Sequence, residues 1–113
     1  MLSLLIITPS IDSAQAEQPK ALLFVTSDHC PFCAAWERDV GQLYDKTPYG
    51  VAAPLRRIDF ADVAQQMPFL KPKIVGTPNF VILEANQEIG RIQGYSDAEM
   101  FYWQLSEYLP IDQ

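Results

Sequence analysis

The chain has 113 residues, 49% of them hydrophobic, with two Trp, six Phe and five Tyr, which is enough for one compact domain whose core needs no cross-link to form. Fourteen acidic residues against eight basic ones leave a formal net charge of −6, and no basic run exceeds Arg56-Arg57, which argues against a nucleic-acid-binding surface. Partners are expected among proteins and small thiols.

The first sixteen residues differ from the rest. Leu2 to Ile7 is almost wholly apolar, Thr8 to Ser13 is polar and turn-rich, and Ala14-Gln15-Ala16 matches the small-x-small pattern that precedes a signal-peptidase cut. Residues 1–16 are therefore read as a signal peptide, and residues 17–113 as a mature domain with a periplasmic or secreted location. No Lys or Arg precedes the apolar stretch, as if a longer leader began upstream. The stretch is far shorter than the roughly 18 residues that span a bilayer, so no membrane span is expected in the mature chain. The alternative is a disordered tail on a cytoplasmic protein.

Ala21 to Thr26 is an uninterrupted apolar run of the kind a central strand shows when both faces are covered. The only two cysteines follow it, in Cys30-Pro31-Phe32-Cys33. From about Cys33 to Tyr44 the spacing predicts a helix that buries Cys33, Trp36, Val40, Leu43 and Tyr44 and leaves Glu37, Arg38, Asp39 and Gln42 to solvent. Cys30 then falls at the helix N-terminus, where free N–H groups and the helix dipole favour thiolate over thiol. Pro31 suits the first turn, where a missing N–H costs nothing.

Asp45 to Pro54 contains two prolines and Gly50 and reads as a loop, and Leu55 to Asp59 as a second strand, parallel to the first. Ala61 to Gln66 can make a short helix ended by Pro68. Asn79 to Glu84 is a further apolar strand, and a turn centred on Asn86 brings Glu88 to Gln93 back antiparallel, with Gly90 marking an edge. Ser96-Asp97-Ala98-Glu99 matches a capping box, and Met100, Phe101, Trp103, Leu105, Tyr108 and Leu109 supply the apolar face of a last helix. The order is β-α-β-α-β-β-α.

Two thiols three positions apart after a strand have several readings. A purely structural bridge is disfavoured, because closing so short a loop removes little entropy from the unfolded chain. A monomeric zinc site is short of ligands, with only His29 beside the two cysteines and no other histidine. A dimer pooling two cysteine pairs around a metal remains open by counting alone. The redox dithiol is the preferred reading, with no metal and no cofactor beyond the cysteine pair.

This element order, with Cys30-Pro31-Phe32-Cys33 after the first strand and Gly76-Thr77-Pro78 before the third, resembles the thioredoxin fold over residues 20 to 109. That fold is α/β, a mixed four-stranded sheet flanked by helices. More narrowly, the stretch from Thr47 to Asp59 and Gly90-Arg91-Ile92-Gln93-Gly94-Tyr95 are similar to the small periplasmic thioredoxin-like proteins of the SoxS type, which are associated with bacterial sulfur-oxidation operons. The resemblance implies a thiol-disulfide oxidoreductase in which Cys30 attacks and Cys33 resolves the mixed disulfide through a reversible Cys30–Cys33 bond. It also implies a cis Thr77-Pro78 bond lying against the reactive cysteine, with Thr77 and Pro78 forming a surface for an extended substrate. Phe32 is expected to be exposed there, able to contact partners. His29 could support the Cys30 thiolate or be an ordinary solvent-facing loop residue.

One departure from thioredoxin itself stands out. Thioredoxins carry a buried acid six residues before the first cysteine, and here that position is Phe24. The Cys-Pro-aromatic-Cys core resembles glutaredoxin instead, although only Gly94-Tyr95-Ser96-Asp97 matches the glutathione-holding segment, without its double glycine. The leading expectation is a monomeric periplasmic enzyme that reduces disulfides or mixed disulfides on a protein partner, fed by a membrane-linked electron donor or by glutathione. A glutathione-dependent reductase and a non-enzymatic redox-sensing module are the alternatives. Direction, reductase or oxidase, is open, since related dithiols span about −270 to −120 mV.

Overall fold

In the computed structural model, residues 19–70 and 73–111 are described. The expected leader, residues 1–16, lies outside them. Strand β1 (Lys20–Thr26) leads through a short loop into helix α1 (Pro31–Trp36), which continues as a π-helical segment (Glu37–Gly41). A 3₁₀ turn (Tyr44–Lys46) and helix α2 (Pro48–Ala52) connect to β2 (Leu55–Asp59). A second 3₁₀ turn (Phe60–Asp62) runs into helix α3 (Val63–Gln66), and the hairpin β3 (Asn79–Glu84) and β4 (Gln87–Gln93) precedes helix α4 (Ala98–Ser106). The sheet order is β2-β1-β3-β4, with β1 parallel to β2 and antiparallel to β3, and β3 antiparallel to β4.

The period-2 alternation of β1 divides the core into two layers. Leu22 and Phe24 point into an aromatic layer with Trp36, Tyr44, Phe80 and Phe101, while Leu23 and Val25 point into an aliphatic layer with Ile58, Val63, Met67 and Ile74. The middles of both central strands, Leu22 to Val25 and Phe80 to Leu83, are therefore apolar and buried on both faces, as expected from their sequences. The two edges are marked by polar or small residues. Arg56 and Arg57 are exposed on β2, and β4 carries Gly90, where a Cβ would run into the ring of Tyr108. The β3–β4 turn has positive φ at Ala85 and Asn86, as a type I′ hairpin requires.

Several local expectations are corrected. The first helix begins at Pro31 rather than Cys33, because Cys30 itself caps it. The helix does not run evenly to Tyr44. At Glu37 it widens to a π turn, in which Gln42 N–H reaches the carbonyl of Glu37, and the added residue rotates Leu43 out to 63% exposure. The segment read as a loop contains α2, started by Thr47, whose hydroxyl accepts from Gly50 N–H, with Pro48 in the first turn. In the last helix only Phe101 and Leu105 are buried, joined beyond its end by Leu109, at a spacing of four. Met100 and Trp103 lie off that stripe and are exposed.

Candidate active site

The dithiol sits at the C-terminal end of β1, where Ser27, Asp28 and His29 carry the chain out of the sheet and into α1. His29 adopts a left-handed backbone, φ +59°, and turns the chain so that Cys30 can take the N-cap position in extended conformation. The Cys30 Sγ occupies the place of a capping oxygen and accepts a hydrogen bond from Cys33 N–H at 3.2 Å. Ala34 N–H bonds the Cys30 carbonyl at 3.0 Å. Cys30 and Cys33 are joined in a disulfide with their Cα atoms 5.2 Å apart.

The two sulfurs differ in access. Cys33 is 3% exposed and belongs to the aromatic layer, packed with Phe24, Trp36 and Phe80, whereas Cys30 is half-buried at its edge. An open groove of about 590 Å³ includes both cysteines in its lining, together with Ser27, Asp28 and His29 of the loop and Pro31, Ala34 and Glu37 of the helix and its continuation. Phe32 stands out of the motif at 61% exposure. Trp36, read from the sequence as core, is fully buried.

Thr77-Pro78 is a cis peptide. The segment is brought beside the dithiol loop by a 2.7 Å hydrogen bond between the hydroxyls of Ser27 and Thr77. Pro78 is buried and Thr77 half-buried, while Val75, two residues earlier, is 82% exposed. His29 is exposed on the groove wall and Asp28 beside it is likewise in solvent. Among the described residues, no group of three or more His, Cys, Asp or Glu side chains converges as a metal site, and no helix is long and apolar enough to cross a membrane.

Two site residues carried no motif. Glu37 stands four positions after Cys33, on the same helix face, and its N–H bonds the Cys33 carbonyl. Its carboxylate is held by Arg57 from β2, whose guanidinium pKa rises above its ordinary value chiefly through that hydrogen bond. The i, i+4 spacing from Cys33 was the available signal. Ser27 is the other, and nothing in the sequence pairs it with a residue fifty positions away.

The β2-β1-β3-β4 sheet with a Cys30–Cys33 disulfide after its first strand defines a thiol-disulfide oxidoreductase of the thioredoxin fold. The family model of the thioredoxin-like domain matches residues 8–109, and the chain belongs to that family. Among solved structures, the chain is similar to the periplasmic thioredoxin SoxS from Paracoccus pantotrophus in its reduced form, at 29% identity and a TM-score of 0.74, over 80% of this chain and 96% of that one. It is also similar in fold to thioredoxin from Aeropyrum pernix, at 20% identity and a TM-score of 0.61 over 94% and 87% of the two chains, and to thioredoxin f2 from Chlamydomonas reinhardtii, at 11% and 0.65 over 87% and 86%. No match was found among curated proteins. The expected fold class is borne out, with α2 as an additional short helix in the first crossover.

Proposed function

We propose that the protein reduces disulfides or mixed disulfides on a protein partner outside the cytoplasm, with Cys30 as the attacking sulfur and Cys33 as the resolving one. The observation that carries this is the Cys33 N–H aimed at Cys30 Sγ at 3.2 Å, a donor that stabilises negative charge on the more accessible of the two sulfurs. In the reduced protein the Cys30 thiolate attacks one sulfur of the partner's disulfide, forming a mixed disulfide and expelling the other sulfur as thiolate. Cys33, having lost its proton, then attacks Cys30 Sγ and expels the partner's second thiolate. Two electrons have passed to the partner, and the Cys30–Cys33 bond of the present structure has formed. An external thiol or dithiol must reduce it again.

A polypeptide partner is supported by what surrounds the sulfurs. Phe32, in the motif, and Val75, two residues before Thr77, are large apolar side chains left in solvent, and half-buried Thr77 beside Pro78 is the position whose backbone would meet an extended substrate. The location rests on the Ala14-Gln15-Ala16 pattern, read as the end of a leader, and on the similarity to a periplasmic thioredoxin. By the SoxS-type resemblance the partner is a sulfur-oxidation protein whose carrier cysteine is kept reduced.

The test compares two substrates, a protein disulfide such as insulin and a glutathione mixed disulfide. Reduction of the protein disulfide with slower turnover of the glutathione adduct is expected, and the Cys33→Ser variant should trap a partner covalently through Cys30. Preference for the glutathione adduct would favour a glutaredoxin-like enzyme. Neither activity, with no trapped partner, would leave a redox-sensing module. An equilibrium potential nearer about −120 mV than −270 mV would reverse the proposed direction.

A further inference from the structure

The substrate segment is held on three sides. Asn79 Nδ2 donates to the Gly76 carbonyl at 3.1 Å, Gly94 N–H donates to the Pro78 carbonyl at 2.9 Å, and the Ser27 and Thr77 hydroxyls share a bond of 2.7 Å. The first two anchors belong to the β3–β4 hairpin and its exit, the same part of the chain that the segment leads into. Ser27 belongs to the other side, the loop that leaves β1 and carries Cys30 three residues later. Of these three anchors, the hydroxyl pair alone ties the segment to the loop that positions the sulfur.

We infer that Ser27 is a positioning residue that sets the register between Thr77-Pro78 and Cys30, and through it the fit of an extended polypeptide substrate. This rests on the proposed reading of Thr77 and Pro78 as the substrate surface. The bond is at the usual distance for two hydroxyls and is partly shielded from water, so each oxygen loses a defined partner when the other is removed. Sulfur exchange itself uses the Cys33 N–H and the two thiols, none of which Ser27 touches through a hydrogen bond. A small disulfide needs only the sulfur. A polypeptide must meet the sulfur and the Thr77 backbone together, and a poorer fit to the backbone, a contact made equally in the bound and transition states, is felt as weaker binding.

Ser27→Ala is therefore expected to raise KM for a polypeptide disulfide about five- to tenfold, with kcat changed by less than about twofold and with exchange against a small aromatic disulfide at the wild-type rate. Ser27→Thr, which keeps the hydroxyl, should restore KM. Thr77→Val, which removes the other hydroxyl at nearly the same volume, should raise KM similarly, and the double variant Ser27→Ala with Thr77→Val should be no worse than either alone. A KM for Ser27→Ala within about twofold of wild type, additive effects in the double variant, or equal losses on the polypeptide and the small disulfide would each overturn the inference. A wild-type protein that exchanges with small disulfides but reduces no polypeptide would instead remove the reading beneath it, and the positioning role with it.

Discussion

Arg57 donates two hydrogen bonds to the carboxylate of Glu37, Nε to Oε2 and Nη2 to Oε1, both 2.8 Å long, and so ties the edge strand β2 to the helix one turn beyond Cys33. The fork geometry is good, but the two side chains are 49% and 37% exposed. Water and salt therefore take most of the Coulomb gain, leaving about 0.5 kcal/mol. Arg57→Lys keeps the charge and loses the fork. Its urea midpoint should fall slightly in low salt and approach that of wild type in high salt; a loss of several kcal/mol, indifferent to salt, would mean that the pair behaves as a buried one.

Phe24 answers for what lies beneath Cys33. Its ring stacks on Phe80 at 5.1 Å and lies 4.5 Å from Trp36, so the place where thioredoxins keep an acid is here filled by aromatic contacts. Phe24→Leu keeps an apolar side chain and should cost about 1 to 1.5 kcal/mol, whereas Phe24→Asp loses the ring, at about 3 to 5 kcal/mol, and adds an acid with no cation in that layer. The second sum approaches the whole stability of a small domain. Thermal unfolding followed by circular dichroism should show a cooperative transition for the leucine variant and little or none for the aspartate. Equal melting of both would contradict a dry layer at this position.

Tyr44 makes stability sensitive to alkali. Its hydroxyl donates to the Ala53 carbonyl at 2.8 Å inside the core, and burial, with smaller contributions from Tyr102 and Asp45, pushes its pKa well above the ordinary value of 10.0. The unfolded chain gives up this proton near pH 10 while the folded one retains it. Stability is thus complete below that pH and declines as pH rises past it. The urea midpoint should drop more steeply above pH 10 in the wild type than in Tyr44→Phe, which has no proton to lose and should instead be weaker by about 1 to 2 kcal/mol at neutral pH through the orphaned carbonyl. Parallel curves for the two proteins would assign the alkaline loss to other tyrosines.

Much of this architecture was legible because its signals are strong and local. The short, β-branched and aromatic apolar runs of β1 and β3 read as strands covered on both sides, and Cys30-Pro31-Phe32-Cys33 marks a helix start by its proline as well as its sulfurs. What failed was phase. A helical wheel assumes a constant turn, so the π segment at Glu37–Gly41 moved Leu43 out of the core without leaving a mark in the pattern. At Gly41, within that segment, a Cβ would meet the Glu37 carboxylate and the Trp36 ring, so its smallness serves a close approach of side chains. Gly90 was read as an edge signal, and its strand is an edge, yet its smallness serves the Tyr108 ring. Ser27 with Thr77 and Glu37 with Arg57 are tertiary pairs, and only the folded chain brings them together.

The start of α4 offers a sharper contrast, because two good capping residues stand side by side. Ser96 followed three positions later by Glu99 suggests a capping box, but the helix begins one residue later, with Asp97 Oδ1 accepting from Met100 N–H at 2.9 Å and Phe101 N–H reaching the Asp97 carbonyl at 3.0 Å. The phase is set from the far side, where Phe101 and Leu105 must both face the aromatic layer. With Asp97 as cap, the third helical position is Met100, so Glu99 cannot close a box and acts only as a negative charge in the first turn. Asp97→Ala should therefore cost about 1 kcal/mol and lower the melting temperature, while Ser96→Ala should change stability by less than about 0.5 kcal/mol. If the two variants exchanged these effects, the helix in solution would be capped by Ser96, with Met100 N–H turning from the Asp97 carboxylate to the Ser96 carbonyl.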